Sequence, residues 1–229
     1  MNMLLELLNI DFTSIQDANQ AIWWWVPIVL WTCVAEVLIA AIIVALDGPD
    51  TKTVDIAILG LKGCGKTTMW ELLQNHNPTK GGYNPSSRDR IESFKVKGLD
   101  GREVLISTTY DNGGGDVYVD QYNEVIKAGT MVYFLVDLTR MESQKREINA
   151  RLRKIGTIFK DKRIENASGF QIVATHLDET GYTKGEAIEM VSQILKIKHR
   201  GNNITALDLF NGNDFQVIKN EIINAGINI

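Results

Sequence analysis

Thr53-Val54-Asp55-Ile56-Ala57-Ile58-Leu59 runs straight into Gly60-Leu61-Lys62-Gly63-Cys64-Gly65-Lys66-Thr67-Thr68, and MWELLQN follows at residues 69–75. The first stretch is β-rich and the last is helix-like. The middle matches G-x-x-x-x-G-K-[ST], with the strand before and the helix after that this pattern requires. Its glycines let backbone wrap close to phosphate with N–H groups pointing inward, and the helix N-terminus adds a positive dipole. Lys66 is expected to reach the β- and γ-phosphates as the catalytic charge, and the Thr67 hydroxyl to ligate Mg²⁺. Gly60, Lys62, Gly63, Cys64, Gly65 and Thr68 complete the expected phosphate contacts. Cys64 reads as a small side chain, or as a reactive thiol if it is accessible near the helix N-terminus.

Downstream, the strand-like Glu103-Val104-Leu105-Ile106-Ser107 leads into Thr108-Thr109-Tyr110-Asp111-Asn112-Gly113-Gly114-Gly115. An acid after a strand with glycine three residues on is a D-x-x-G arrangement. There Asp111 would hold Mg²⁺ through water, and the Gly114 N–H would sense a γ-phosphate, a second catalytic role. A buried-strand run follows at 130–137, then a polar helix-compatible stretch at 141–159. A strand at 171–174 ends in Thr175-His176-Leu177-Asp178. Ile204-Thr205-Ala206-Leu207 precedes a short helix at 214–225. Strands alternating with helices predict an α/β domain, a mostly parallel sheet with helices on both faces and nucleotide at the carboxyl ends of the strands. Asp137, closing the 130–137 run, is an alternative metal carboxylate in an ATPase or kinase; Asp111 suits that role better and Asp137 reads as structural.

In this order the motifs resemble a small GTPase of the Ras superfamily, nearest in texture to the Arf-like branch, over residues 53–229. GLKGCGKTT resembles the phosphate loop, DNGG the second switch, THLD the guanine-specificity motif [NT]-K-x-D, and TAL the S-A-K/L loop. The resemblance implies GTP/GDP and Mg²⁺ as ligands, with Thr175, His176, Asp178, Thr205, Ala206 and Leu207 around the base. Asp178 would accept from guanine N1 and N2, and the Ala206 N–H would donate to guanine O6. Adenine would leave that carboxylate unpaired. His176 stands where the family has lysine, and Gly115 where Ras-like enzymes carry the glutamine that orients water, so intrinsic hydrolysis is expected to be slow. Pro78-Thr79-Lys80-Gly81 resembles the Arf-like P-T-x-G segment, which makes Thr79 the favoured first-switch Mg²⁺ ligand; Ser86 and Ser87 are the alternatives by position.

The N-terminal quarter differs in kind. Residues 22–46, IWWWVPIVLWTCVAEVLIAAIIVAL, form an apolar run broken only by Pro27, Thr32 and Glu36. At about 1.5 Å per residue it exceeds the roughly 30 Å hydrocarbon core, and Trp23, Trp24 and Trp25 suit a headgroup interface. This predicts one transmembrane helix, with a short outer segment at 1–21 and a breaker-rich linker at 47–52. No Lys or Arg precedes Lys52, so the N-terminus is expected outside and the body cytoplasmic. Glu36 within the span would either pair in self-association or with a partner helix, or be shielded by its neighbours. An anchor before such a domain resembles the architecture of the signal recognition particle receptor β family.

The whole chain has 229 residues, 45% hydrophobic and 23% charged, at a net charge of -4. Residues 52–229 hold 24 basic against 22 acidic residues, a balance that argues against nucleic-acid binding. Two cysteines make no disulfide framework, and His76 and His176 have no metal-ligand spacing with them. Three functions stay open: a membrane-anchored GTP-dependent switch recruiting a cytosolic partner, a nucleotide-binding docking scaffold that hydrolyses little, and a membrane-tethered ATPase or kinase.

Overall fold

The computed structural model describes residue 31 and residues 34–39, 52–78, 88–115, 118–164, 169–195 and 204–227. The chain divides into two units, Met1–Asp50 and Thr51–Ile229. In the first unit, residue 31 and residues 34–39 are helical, with Val37 and Leu38 exposed. Among the described residues no helix is long and apolar enough to cross a membrane. The rest of the expected span at 22–46, the outer segment and most of the linker lie outside the described residues.

The second unit carries nine strands and five α-helices among its described residues. They run β1 (Thr53–Val54), β2 (Ile56–Gly60), α1 (Lys66–Leu73), β3 (Asp89–Ile91), β4 (Phe94–Lys97), β5 (Glu103–Ile106) and β6 (Thr109–Asp111). After these come α2 (Tyr122–Val125), β7 (Met131–Asp137), α3 (Met141–Asp161), β8 (Phe170–Thr175), α4 (Lys184–Leu195), β9 (Ile204–Ala206) and α5 (Gly212–Ile227). Strands β2, β7, β8 and β9 form a four-stranded parallel sheet in that order. Strand β1 pairs parallel with β5, β5 antiparallel with β4, and β3 antiparallel with β6. β1 and β2 are one line interrupted at Asp55, whose carboxylate accepts from the Ser107 hydroxyl and whose carbonyl accepts from Met131 N at 2.9 Å. The Thr109 hydroxyl bridges β6 to the Ile56 carbonyl at 3.2 Å.

Central strands covered on both faces should read as continuous apolar runs, and MVYFLVD of β7 is buried from Val132 to Asp137. Alternate residues serve opposite faces. Ala57, Leu59, Phe134 and Ala174 pack with Ile148, Ile155 and Val191 of α3 and α4. Ile58, Tyr133, Leu135 and Val173 pack with Met69 and Leu73 of α1 and Ile218 and Ile222 of α5. Helices therefore flank both faces, as the sequence pattern predicts. At roughly 25 cal/mol per Å² of apolar surface, these two cores dominate the domain's stability.

Candidate nucleotide site

The loop between β2 and α1 lies at the carboxyl end of β2. Gly65 adopts φ 90° and ends the loop, and no side chain among the described residues caps α1. The first-turn N–H groups of α1 are thus left without a side-chain acceptor, and the loop curls over the positive end of the helix. Glycine is required at Gly60 for a different reason: with φ 145°, a Cβ there would meet the Leu135 carbonyl oxygen at 2.5 Å.

Inside this loop Lys66 is buried, and its Nζ donates to the Leu61 carbonyl at 2.8 Å. The Thr67 hydroxyl donates to Asp111 Oδ2 at 2.6 Å, joining the helix start to the end of β6. Asp111 is 6% exposed, and its other oxygen, Oδ1, is buried without a hydrogen-bond partner among the described residues. Burial raises the Asp111 carboxyl above its ordinary value, and the Thr67 hydroxyl and the Lys66 charge oppose that rise. A buried carboxylate with one unsatisfied oxygen beside a threonine hydroxyl suits a hard divalent cation, so Thr67 and Asp111 fit Mg²⁺.

Gly114 is pressed onto the phosphate loop. A methyl carbon at this position would lie 2.1 Å from Lys62 N and 2.5 Å from the Leu61 carbonyl carbon. Next to it, Gly115 is open, since a Cβ would meet nothing among the described residues closer than the Tyr118 ring at 3.9 Å.

The base-side motifs approach from β8 and β9. The Thr175 hydroxyl donates to the Cys64 carbonyl at 3.0 Å and the Val136 carbonyl at 3.2 Å, so the first residue of THLD braces the phosphate loop. His176 takes a left-handed φ of 60° and caps a single 3-10 turn, Leu177–Glu179, that holds Asp178. Its Nδ1 lies 2.9 Å from the Thr175 hydroxyl and 3.6 Å from Asp137 Oδ1. Ala206 and Leu207 are buried at the end of β9, where Leu207 N donates to the Ala174 carbonyl at 2.9 Å. The Thr205 hydroxyl is turned toward Gln171 Nε2 at 2.5 Å, on the sheet face shared with Glu221 rather than toward the loop. Lys62 and Gly63 are exposed on the outer side of the loop, and Thr68 is half-buried in α1. Thr79, Ser86 and Ser87 lie outside the described residues.

Cys64 keeps the small-side-chain reading. It is fully buried, and burial pushes its thiol up despite the Lys66 charge nearby, so the reactive-thiol alternative falls. Asp137 behaves as a structural acid. It caps the turn after β7 by accepting from Thr139 N at 2.9 Å, and it pairs with Arg140 at 2.6 Å.

A sequence model of the ADP-ribosylation factor (Arf) family matches residues 40–225. The chain belongs to the Arf family. Comparison with curated proteins finds no match. Family membership makes this a small GTPase of the Ras superfamily, a guanine-nucleotide-binding regulatory class.

Two arginines of this Arf-family chain escape a motif-based reading. Arg140 donates through its terminal nitrogen to the Lys62 carbonyl at 3.2 Å, bracing the phosphate loop from the turn after β7. Arg151, in the middle of α3, is 2% exposed. It donates to the Gly60 carbonyl at 3.4 Å, the Gly114 carbonyl at 2.9 Å and the Tyr122 hydroxyl at 3.3 Å. Arg151 falls on the apolar stripe of α3, between Ile148 and Ile155. A charge in that stripe is the one signal the sequence offered.

Proposed function

We propose that this chain is a guanine-nucleotide switch held at a membrane by residues 22–46, with slow intrinsic hydrolysis, that recruits a cytosolic partner. The observation that carries the switch reading is the Thr67–Asp111 bond together with Asp111 Oδ1, which has no hydrogen-bond partner among the described residues. It couples the phosphate loop to the segment after β6, so a cation and a third phosphate acting on one would reposition the other. When bound, Mg²⁺ would supply charge neutralisation between the β- and γ-phosphates. Lys66 and the loop N–H groups would stabilise charge developing on the γ-phosphate as water attacks. Gly115 supplies no side chain to orient that water, which favours slow turnover. Asp178 would select guanine by accepting from N1 and N2.

Equilibrium binding of MgGTP, MgGDP and MgATP to the full chain, beside Asp178→Asn, tests the base assignment. Guanine should be preferred by at least about a hundredfold, and the variant should lose most of that margin. Equal affinity for GTP and ATP would sink the guanine reading and revive the ATPase. The anchor is tested separately by flotation with liposomes before and after deletion of residues 22–46.

A further inference from the structure

Arg151 makes a set of contacts that the phosphate chemistry does not use. Its side chain comes from α3, and it is as buried as the hydrophobic core around it. One terminal nitrogen reaches the Gly60 carbonyl, where β2 gives way to the phosphate loop, and the Tyr122 hydroxyl at the start of α2. The other reaches the Gly114 carbonyl and Glu147 Oε1, the latter at 2.7 Å. Burial opposes the positive charge, and Tyr122 and Glu147 more than offset it. One guanidinium thus ties together the phosphate loop, the Asp111–Gly115 turn and α2.

The planar fork of arginine can hold several acceptors in fixed directions, which a lysine ammonium cannot. Gly114 is the acceptor that matters. Its backbone sits against Leu61 and Lys62 so closely that no Cβ could be accommodated. Any group inserted between Gly114 and the Lys62 backbone must displace Gly114.

We propose that Arg151 is the positioning residue of the second switch, a latch that holds Gly114 down on the phosphate loop and so sets the preference for nucleoside diphosphate over triphosphate. Lifting Gly114 breaks its bond to Arg151, whose other terminal nitrogen holds the Tyr122 hydroxyl, and so lets the state of the loop reach α2. The proposal rests on the guanine-nucleotide reading above and deepens it. It assigns the sensing of the third phosphate to a side chain outside every nucleotide motif.

The test uses the full chain with Glu147→Ala, Arg151→Lys and Arg151→Met. Glu147 is 45% exposed, so its loss loosens the guanidinium without burying a new cavity. Two quantities are measured: amide hydrogen exchange at residues 113–115 and 122–126 without nucleotide, and the ratio of dissociation constants for MgGDP and MgGTPγS. Loss of one charge-assisted bond should speed exchange in those segments by about tenfold, while strands β7 and β8 stay protected. Affinity for GTPγS relative to GDP should rise by about five- to tenfold in Glu147→Ala, with Arg151→Met shifted further and Arg151→Lys in between. A merely structural arginine would lower both affinities together and leave the ratio fixed. That result, or unchanged exchange at 113–115, overturns the proposal. If exchange responds but wild-type protein binds neither guanine nucleotide, the functional reading fails and the sensing role with it, while the exchange arm still scores the latch.

Discussion

Three consecutive glycines in the Asp111 turn offer a graded perturbation whose ranking the geometry fixes. None of Gly113, Gly114 and Gly115 has positive φ, so alanine costs nothing in backbone conformation at any of them and sterics alone decide. At Gly114 the new methyl would meet main-chain atoms, Lys62 N at 2.1 Å and Leu61 C at 2.5 Å, which cannot rotate away. Forcing it in costs about 1–3 kcal/mol of overpacking. Lifting the turn instead forfeits the Arg151–Gly114 bond at 2.9 Å, about 1.5–3 kcal/mol for a charged donor. The two escapes cost about the same, so Gly114→Ala should lose about 2 kcal/mol. For a domain of this size that is about 4–8 °C in Tm. At Gly113 the methyl meets the Tyr118 ring at 2.5 Å, the movable end of a side chain, and the loss should stay below about 1 kcal/mol. At Gly115 no described residue comes closer than the Tyr118 ring at 3.9 Å, and alanine should be neutral or stabilise by about 0.5 kcal/mol through the unfolded chain. Differential scanning calorimetry of the three variants, with urea melts as a check, measures the order directly. A Gly114→Ala protein melting within about 1 °C of wild type, well below the smallest expected shift, would refute the placement of Gly114 on the loop.

Gly115→Gln should raise single-turnover GTP hydrolysis by about tenfold, because the open position can accept the water-orienting side chain; an unchanged rate would mean that position 115 does not face the γ-phosphate. Arg140→Ala should cost about 1–2 kcal/mol at neutral pH by uncovering Asp137. Burial alone would raise the Asp137 carboxyl, but bonds from Thr139 and Arg140 and the nearby His176 bring it below its ordinary 3.8. A depressed carboxyl contributes stability above the unfolded value and loses it as pH falls through the folded one, so the gap between wild type and variant should close in urea melts as pH falls below the ordinary 3.8. Glu221 has the opposite sign: burial raises its carboxyl despite a bond from Gln171, so its contribution is present in acid and lost as pH rises through the folded value. Glu221→Gln should therefore be more stable than wild type at about pH 7–8 and equal to it near about pH 4; equal melting at both pH values would overturn that assignment.

The phosphate loop, the D-x-x-G turn and β7 are legible in the sequence because each is a local pattern. Glycine spacing, an acid after a strand and a continuous apolar run need no knowledge of distant contacts. The helix Met141–Asp161 is visible as a helix, yet its role is not, because Arg151 meets Gly60 and Gly114 only once α3 is laid against the sheet. Arg140 is hidden for the same reason, its target Lys62 lying 78 residues away. Helix α4 escapes because its amphipathic stripe of Ala187, Val191 and Ile194 carries no motif. Thr205 shows the reverse limit: a motif supplies residue order, while the two-residue period of β9 decides that its hydroxyl faces Gln171.

The anchoring of the phosphate loop also explains why its departures from the family pattern are compatible with function. Four loop carbonyls have donors: Gly60 from Arg151, Leu61 from Lys66, Lys62 from Arg140 and Cys64 from Thr175. These donors come from α3, from α1, from the turn after β7 and from the end of β8. Peptide planes held by these donors are fixed before an anion binds, so the loop is pre-organised. Thr175 braces the loop through its hydroxyl, which also lies 2.9 Å from His176 Nδ1, so residue 176 touches the side chain that makes the brace. The departure at His176 therefore reaches the loop through Thr175, while the donors from Arg151, Lys66 and Arg140 stand apart from it. Gly115 removes a group that acts on water and not one that holds the loop. Both departures leave the Arg151, Lys66 and Arg140 contacts that hold the loop in place, which is consistent with the proposed switch that binds nucleotide and hydrolyses it slowly.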